Sequence, residues 1–236
     1  MLRPNRNDYP KFVIPRGVAI WPAINKPDFK FKKEFGEFHC RVRLTPDADG
    51  GFDPAEKAPV SLQDIIAAAE AIRDEAFEAK KAQLIKEKKV ALANKLVKAD
   101  VIRPEVNQET DEETGFLVLR ASTNAGGRRK KDNSVWKGRV DVFNARGEQL
   151  KNPPEIGSGS EVKLSVRVMD YETDGGKTIG ARYELEGLQL LKAVSGGSRT
   201  ASDYGFSEED GDDINDGEAN SHGFGDEDGG GENEDF

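Results

Sequence analysis

The chain has 236 residues, with 35 Lys and Arg against 44 Asp and Glu, a formal net charge of −9. Fourteen of the acids fall in residues 203–236, which contain no Lys or Arg, so residues 1–202 carry 35 bases against 30 acids, a net of +5. A basic body joined to an acidic tail points to a polyanionic partner. The single cysteine, Cys40, excludes an internal disulfide and fits a reducing, cytoplasmic setting. No apolar run reaches membrane-spanning length, and the start MLRPNRNDYP has no signal-peptide core.

Residues 1–46 hold ten basic and four acidic side chains. Lys11 to Ile14 and Val18 to Trp21 read as short strands around Pro15-Arg16-Gly17, with a loop at Lys26-Pro27-Asp28-Phe29. Cations interleaved with Trp21, Phe29, Phe31 and Phe35 suit a surface that neutralises phosphates and stacks unpaired bases, although Trp21 reads as core. Residues 37–44 alternate strictly. Phe38, Cys40, Val42 and Leu44 face a core, and Glu37, His39, Arg41 and Arg43 face outward.

Residues 45–59 form a loop. Its Asp47-to-Asp53 run lacks a glycine at the sixth position and a carboxylate at the twelfth, so it is no calcium loop. Ser61 and Asp64 open a helix by a capping-box variant, and Leu62, Ile65, Ile66, Ala69, Ile72 and Phe77 share one face. Its pattern continues towards Val97, with a break expected near Lys88; the whole stretch reads as a helical insertion over about 61–98 that caps the sheet.

Residues 103–115 read as an acidic loop and 116–123 as a strand with Arg120 outward. Gly126-Gly127-Arg128-Arg129-Lys130-Lys131 follows as the tip of a hairpin able to grip a phosphate backbone without reading sequence. Val135 to Phe143, carrying Lys137, is its partner strand. Gly157-Ser-Gly159 is no dinucleotide fingerprint, because Val162 stands at the third glycine position and a strand follows. Residues 162–168 alternate again, with Lys163, Ser165 and Arg167 outward and Tyr171 at the end of the run. Residues 180–191 close the sheet, and Ser195-Gly-Gly-Ser198 is a hinge into the tail. The tail is too polar to order itself.

Short antiparallel strands, one inserted helix and further strands with tight turns predict a mainly β, five-stranded oligonucleotide-binding (OB-fold) barrel over 1–194. A hinge and disordered acidic C-terminal tail complete the chain over 195–236. Two histidines, one in the tail, and the absence of any ligand cluster, phosphate-cradling loop or nucleophile motif argue against an enzyme, a metal or a cofactor. The residues leave a single-stranded nucleic-acid binder, with an acidic-tailed scaffold or chaperone, or an RNA-binding barrel, as alternatives.

Four stretches also carry a family resemblance: Ile24-Asn-Lys26-Pro27-Asp28-Phe29; Phe35-Gly36 leading to Val42-Arg-Leu44-Thr45-Pro46; Ile156-Gly-Ser-Gly-Ser160 with the strand to Tyr171 and Ile179-Gly-Ala181; and the acidic end Glu234-Asp235-Phe236. With them the chain resembles the single-stranded DNA-binding proteins of short-tailed bacteriophages. The resemblance implies a homodimer that works in DNA replication, recombination and repair inside an infected bacterial cell. It implies base stacking on Tyr171 and Phe29, phosphate contact at Lys26 and Lys11, and approximate counterparts of the family's sheet-face lysines at Arg41 and Arg120. The tail, through Glu232, Glu234, Asp235 and Phe236, would recruit the phage DNA polymerase and helicase-primase. Residues 90–113 and 128–131 lie outside the resemblance.

Overall fold

The computed structural model describes residues 5–30 and 34–194; the tail residues named above lie outside them. The chain divides into two units, Met1–Ser198 and Arg199–Phe236, and every described residue belongs to the first. The strands and helices of that unit, in order, are β1 Lys11–Val13, β2 Gly17–Asp28, β3 Glu37–Leu44, β4 Gly51–Asp53, β5 Ala58–Val60, α1 Leu62–Lys86, α2 Val90–Ala93, β6 Val97–Lys98, β7 Arg103–Val106, β8 Glu113–Asn124, β9 Gly126–Arg128, β10 Val135–Lys137, β11 Asp141–Phe143, β12 Glu161–Thr173 and β13 Thr178–Lys192.

Five of these strands close on themselves. β2 pairs with β3, β3 with β8, β8 with β13, β13 with β12, and β12 returns to β2. Within that ring only β8 and β13 run parallel, and they touch at just two registered pairs, Tyr183 with Ala121 and Glu184 with Ser122. This is the expected oligonucleotide-binding barrel. Alternation fills it: Cys40 and Val42 from β3, Leu119 and Ala121 from β8, and Val162, Leu164, Val166 and Val168 from β12 are all fully buried.

The helix begins where its capping box lies. The Ser61 amide donates to Asp64 Oδ2 at 2.8 Å, and the Asp64 amide donates to Ser61 Oγ at 3.2 Å. The Ser61 hydroxyl, donating to Asp64 Oδ2 at 2.7 Å, and the Ser61 amide hold the Asp64 carboxyl below its ordinary range. Leu62, Ile65 and Ala69 enter the core, and α1 packs on β12 and β13. It stops at Lys86, and Lys88 turns the chain with φ 58° before the single turn of α2, so the break falls where the sequence placed it.

Several local readings are corrected. Lys26 to Asp28 is not loop but the end of β2. Residues 103–106 are a strand, β7, on the outer edge of β8. Residues 45–60 include the small β4–β5 hairpin. The expected strand from Val135 to Phe143 is two pieces: β10 pairs with β9, and β11 adds to β13. Glu37 and Arg167 have the expected outward parity, yet both are buried, because neighbouring segments cover them.

Candidate nucleic-acid interface

On the barrel face formed by β3 and β8, residues 41 and 120 are directly opposed. Two arginines facing each other across a strand pair repel, an arrangement that costs stability unless an anion lies between or beside them. In the next row Arg43 opposes Val118, which in turn opposes Arg103 of β7, so one face of three strands carries Arg41, Arg43, Arg120 and Arg103. These side chains line a groove of ≈ 1100 Å³ together with Arg182 of β13, Trp21 of β2 and Tyr171 of β12.

The two aromatics are positioned by the backbone. Trp21 sits at φ 48° in the irregular part of the β2–β3 ladder between Ile20 and Ala23, with its amide donating to Ser158 Oγ at 2.9 Å. That left-handed conformation turns the indole outward, leaving it 72% exposed, so Trp21 is a groove residue and not core. Tyr171 is held against Gly180, its cross-strand partner. A Cβ on Gly180 would lie 2.5 Å from the ring, so only glycine lets the phenol lie flat on the opposite strand. Beyond Tyr171, Glu172 accepts an ion pair from Lys80 of α1 at 2.9 Å, which ties the end of β12 to the helix.

Carboxylates already hold some of the cations. Arg120 pairs with the buried Glu37 and donates to Ser122 Oγ at 3.1 Å. Arg43 pairs with Glu105 at 2.6 Å. The guanidinium groups of Arg41, Arg103 and Arg182 have no ion-pair or hydrogen-bond partner among the described residues, and all three residues are exposed. Burial pushes the Cys40 thiol up to about 12, which makes it a core filler rather than a nucleophile.

The remaining residues singled out in the sequence fall into two other places. Lys26 lies near the end of β2 and Phe29 just past it, with Phe29 51% exposed and packed near Gly36. The β9–β10 hairpin meets Glu34 and Phe35: Arg128 pairs with Glu34 at 2.9 Å and lies 5.8 Å from the Phe35 ring centroid. Arg129, Lys130, Lys131 and Lys137 are exposed on that hairpin. From Arg120 to Gly126 the chain runs six residues, about 20 Å at strand rise, so the hairpin is a cationic site apart from the groove. Lys11 is elsewhere, paired with Glu186 at 2.8 Å in a cluster with Arg6, Arg167 and Glu184. Phe31 lies outside the described residues. Arg43, Arg103, Arg182 and Trp21 were absent from the expected site; for Arg43 the alternation of residues 37–44 carried the signal, whereas Arg103 depends on a strand pairing with no local mark.

A five-stranded ring with a cationic, aromatic-edged groove on its β3–β8 face defines a nucleic-acid-binding barrel. Comparison with known proteins gives the family. A family model described as the single-stranded DNA-binding protein of bacteriophage T7 matches residues 17–193, and the chain belongs to that family, one of binding proteins rather than enzymes. Among solved structures it is similar to gp2.5, a single-stranded DNA binding protein encoded by bacteriophage T7, at 17% identity and TM-score 0.61, over 85% of this chain and 98% of that one. It also matches the single-stranded DNA-binding protein from bacteriophage Enc34 in complex with ssDNA, at 18% identity and TM-score 0.42, over 78% and 88% of the two chains. No curated protein matches.

Proposed function

We propose that this protein coats single DNA strands without sequence preference during phage replication, recombination and repair. The strand lies in the groove, with phosphates on Arg41, Arg103, Arg120 and Arg182 and bases on Trp21 and Tyr171. Lys26, Phe29 and the Arg128–Lys131 arm with Lys137 extend the track. Lys11, occupied by Glu186, contributes to the fold instead. The observation that carries this reading is one groove lined by Arg41, Arg103 and Arg182, exposed and without a carboxylate partner among the described residues, together with the aromatic rings of Trp21 and Tyr171.

The acidic tail competes for the same cations until DNA displaces it, which frees Glu232, Glu234, Asp235 and Phe236 to recruit the phage polymerase and helicase-primase; the active form is a homodimer. The support for the tail's role is the charge division between residues 1–202 and 203–236, and the dimer is what the family resemblance implies.

Anisotropy titrations with a labelled oligonucleotide, single-stranded, duplexed and as RNA, test the binding. Single-stranded DNA should bind tightest, and equal affinity for the duplex, or no binding, would remove the reading. Deleting residues 203–236 should tighten binding several-fold at low salt and much less near 0.2 M, where screening shortens to below roughly 10 Å. An unchanged affinity across that titration would remove the tail's competitive role.

A further inference from the structure

Of the five arginines that reach the groove, Arg43 is the most completely restrained. It donates through Nε and Nη2 to Glu105 Oε1 at 2.8 and 2.6 Å, and its guanidinium lies 5.4 Å from the Phe116 ring centroid. The carboxylate is fixed in turn, because Thr114 Oγ1 donates to Glu105 Oε2 at 2.7 Å. Partial burial pushes the Glu105 carboxyl up, but the bonds from Arg43 and Thr114 more than reverse this, so it stays charged at neutral pH. Glu105 belongs to β7, and it lines the groove directly.

The geometry points to Glu105 as an affinity-limiting residue, a resident anion on Arg43 that any incoming phosphate must displace. This rests on the groove being the DNA site. The cost of displacement falls on every polyanion alike, so it leaves the ratio of the two affinities as stacking sets it and lowers both, the duplex to the weaker absolute level. A single strand offsets it by stacking on Trp21 and Tyr171, each stack worth roughly five- to 150-fold in affinity. A duplex keeps its bases paired and has only phosphate contacts to offer, so it cannot recover the loss. By occupying Arg43, Glu105 holds phosphate-only binding down while leaving Arg41, Arg103 and Arg182 open.

The test is a salt titration of the full chain with a labelled duplex and, in parallel, the matching single strand. Glu105→Gln frees Arg43 for one more phosphate, so the duplex should bind several-fold tighter at low salt. The log–log salt slope for the duplex should steepen by about 0.9, and by about 0.7 for the single strand. Thr114→Val, which loosens the carboxylate without altering a charge, should give a smaller gain in the same direction. The double variant Arg43→Gln/Glu105→Gln should return duplex affinity and slope close to wild type. If Glu105 only braces β7, Glu105→Gln lowers the melting temperature and leaves duplex binding unchanged or weaker, and the proposal falls. It falls also if the double variant binds duplex as tightly as Glu105→Gln alone. An Arg41→Gln variant run beside them separates the causes. With single-strand binding weakened by Arg41→Gln, a flat Glu105→Gln overturns the role of Glu105 alone. With single-strand binding untouched by Arg41→Gln, the groove reading and this one go together.

Discussion

Replacing Trp21 and Tyr171 together by alanine is expected to weaken single-strand binding by roughly thirty-fold or more, since each base–aromatic stack contributes about 1–3 kcal/mol. Folding should be little affected, because Trp21 is 72% exposed and Tyr171 rests on the barrel's outer surface against Gly180. Gly180→Ala should reproduce the Tyr171 share of the loss without touching the phenol. The added methyl would collide with the ring, and β12 and β13, paired from Glu161 to Thr173, leave the backbone no room to yield. Anisotropy titration with an oligothymidine, alongside thermal melts, checks both variants. A change in affinity below about three-fold in the double variant, against more than ten-fold expected from the weakest pair of stacks, would mean that the bases do not lie on these two faces.

Glu186→Gln is expected to produce the largest loss of stability, about 3–5 kcal/mol in urea unfolding, because it strips the counter-charge from a buried guanidinium. Arg167 is 3% exposed, donates to Glu186 Oε1 through Nε at 2.9 Å and Nη2 at 2.6 Å, and also bonds the Arg6 carbonyl. Burial pushes the Glu186 carboxyl up, and Lys11 and Arg167 pull it down further than burial raises it, so its folded value lies below the ordinary 4.5. The stabilisation from Glu186 is therefore whole above that ordinary value and is lost as pH falls through the lower folded one. The wild-type protein should lose stability on acidification through this range more steeply than Glu186→Gln does. Parallel slopes would show that Glu186 does not titrate with folding. Single-strand affinity of the folded Glu186→Gln protein should stay near wild type, since this cluster lies outside the groove.

Much of this arrangement is written locally. The alternation in residues 37–44 and 162–168 sets which side chains enter the barrel, and Ser61 with Asp64 marks the helix start to the residue. What escaped is non-local. Outward parity for Glu37 and Arg167 was right, but burial depends on what covers a side chain, here Arg120 from β8 and the N-terminal segment at Arg6. Trp21 sits in an irregular stretch of β2, and a bulge reverses a side chain without leaving any periodic trace. The β7 strand pairs with β8 and delivers Glu105 to Arg43 across 62 positions of chain, a contact no window of sequence contains. Arg41, Arg120 and Tyr171 are brought to one groove, while Arg128 of the hairpin reaches Glu34 and Phe35 instead.

Photo-cross-linking of a bound oligothymidine, followed by peptide mass spectrometry, tests the central claim most directly. The groove reading predicts adducts on Trp21 and Tyr171, with weaker ones on Phe29, and none on the outer face that holds Arg6, Lys11 and Glu186. Adducts confined to residues 6–13 or to β11, with Trp21 and Tyr171 unmodified, would contradict it.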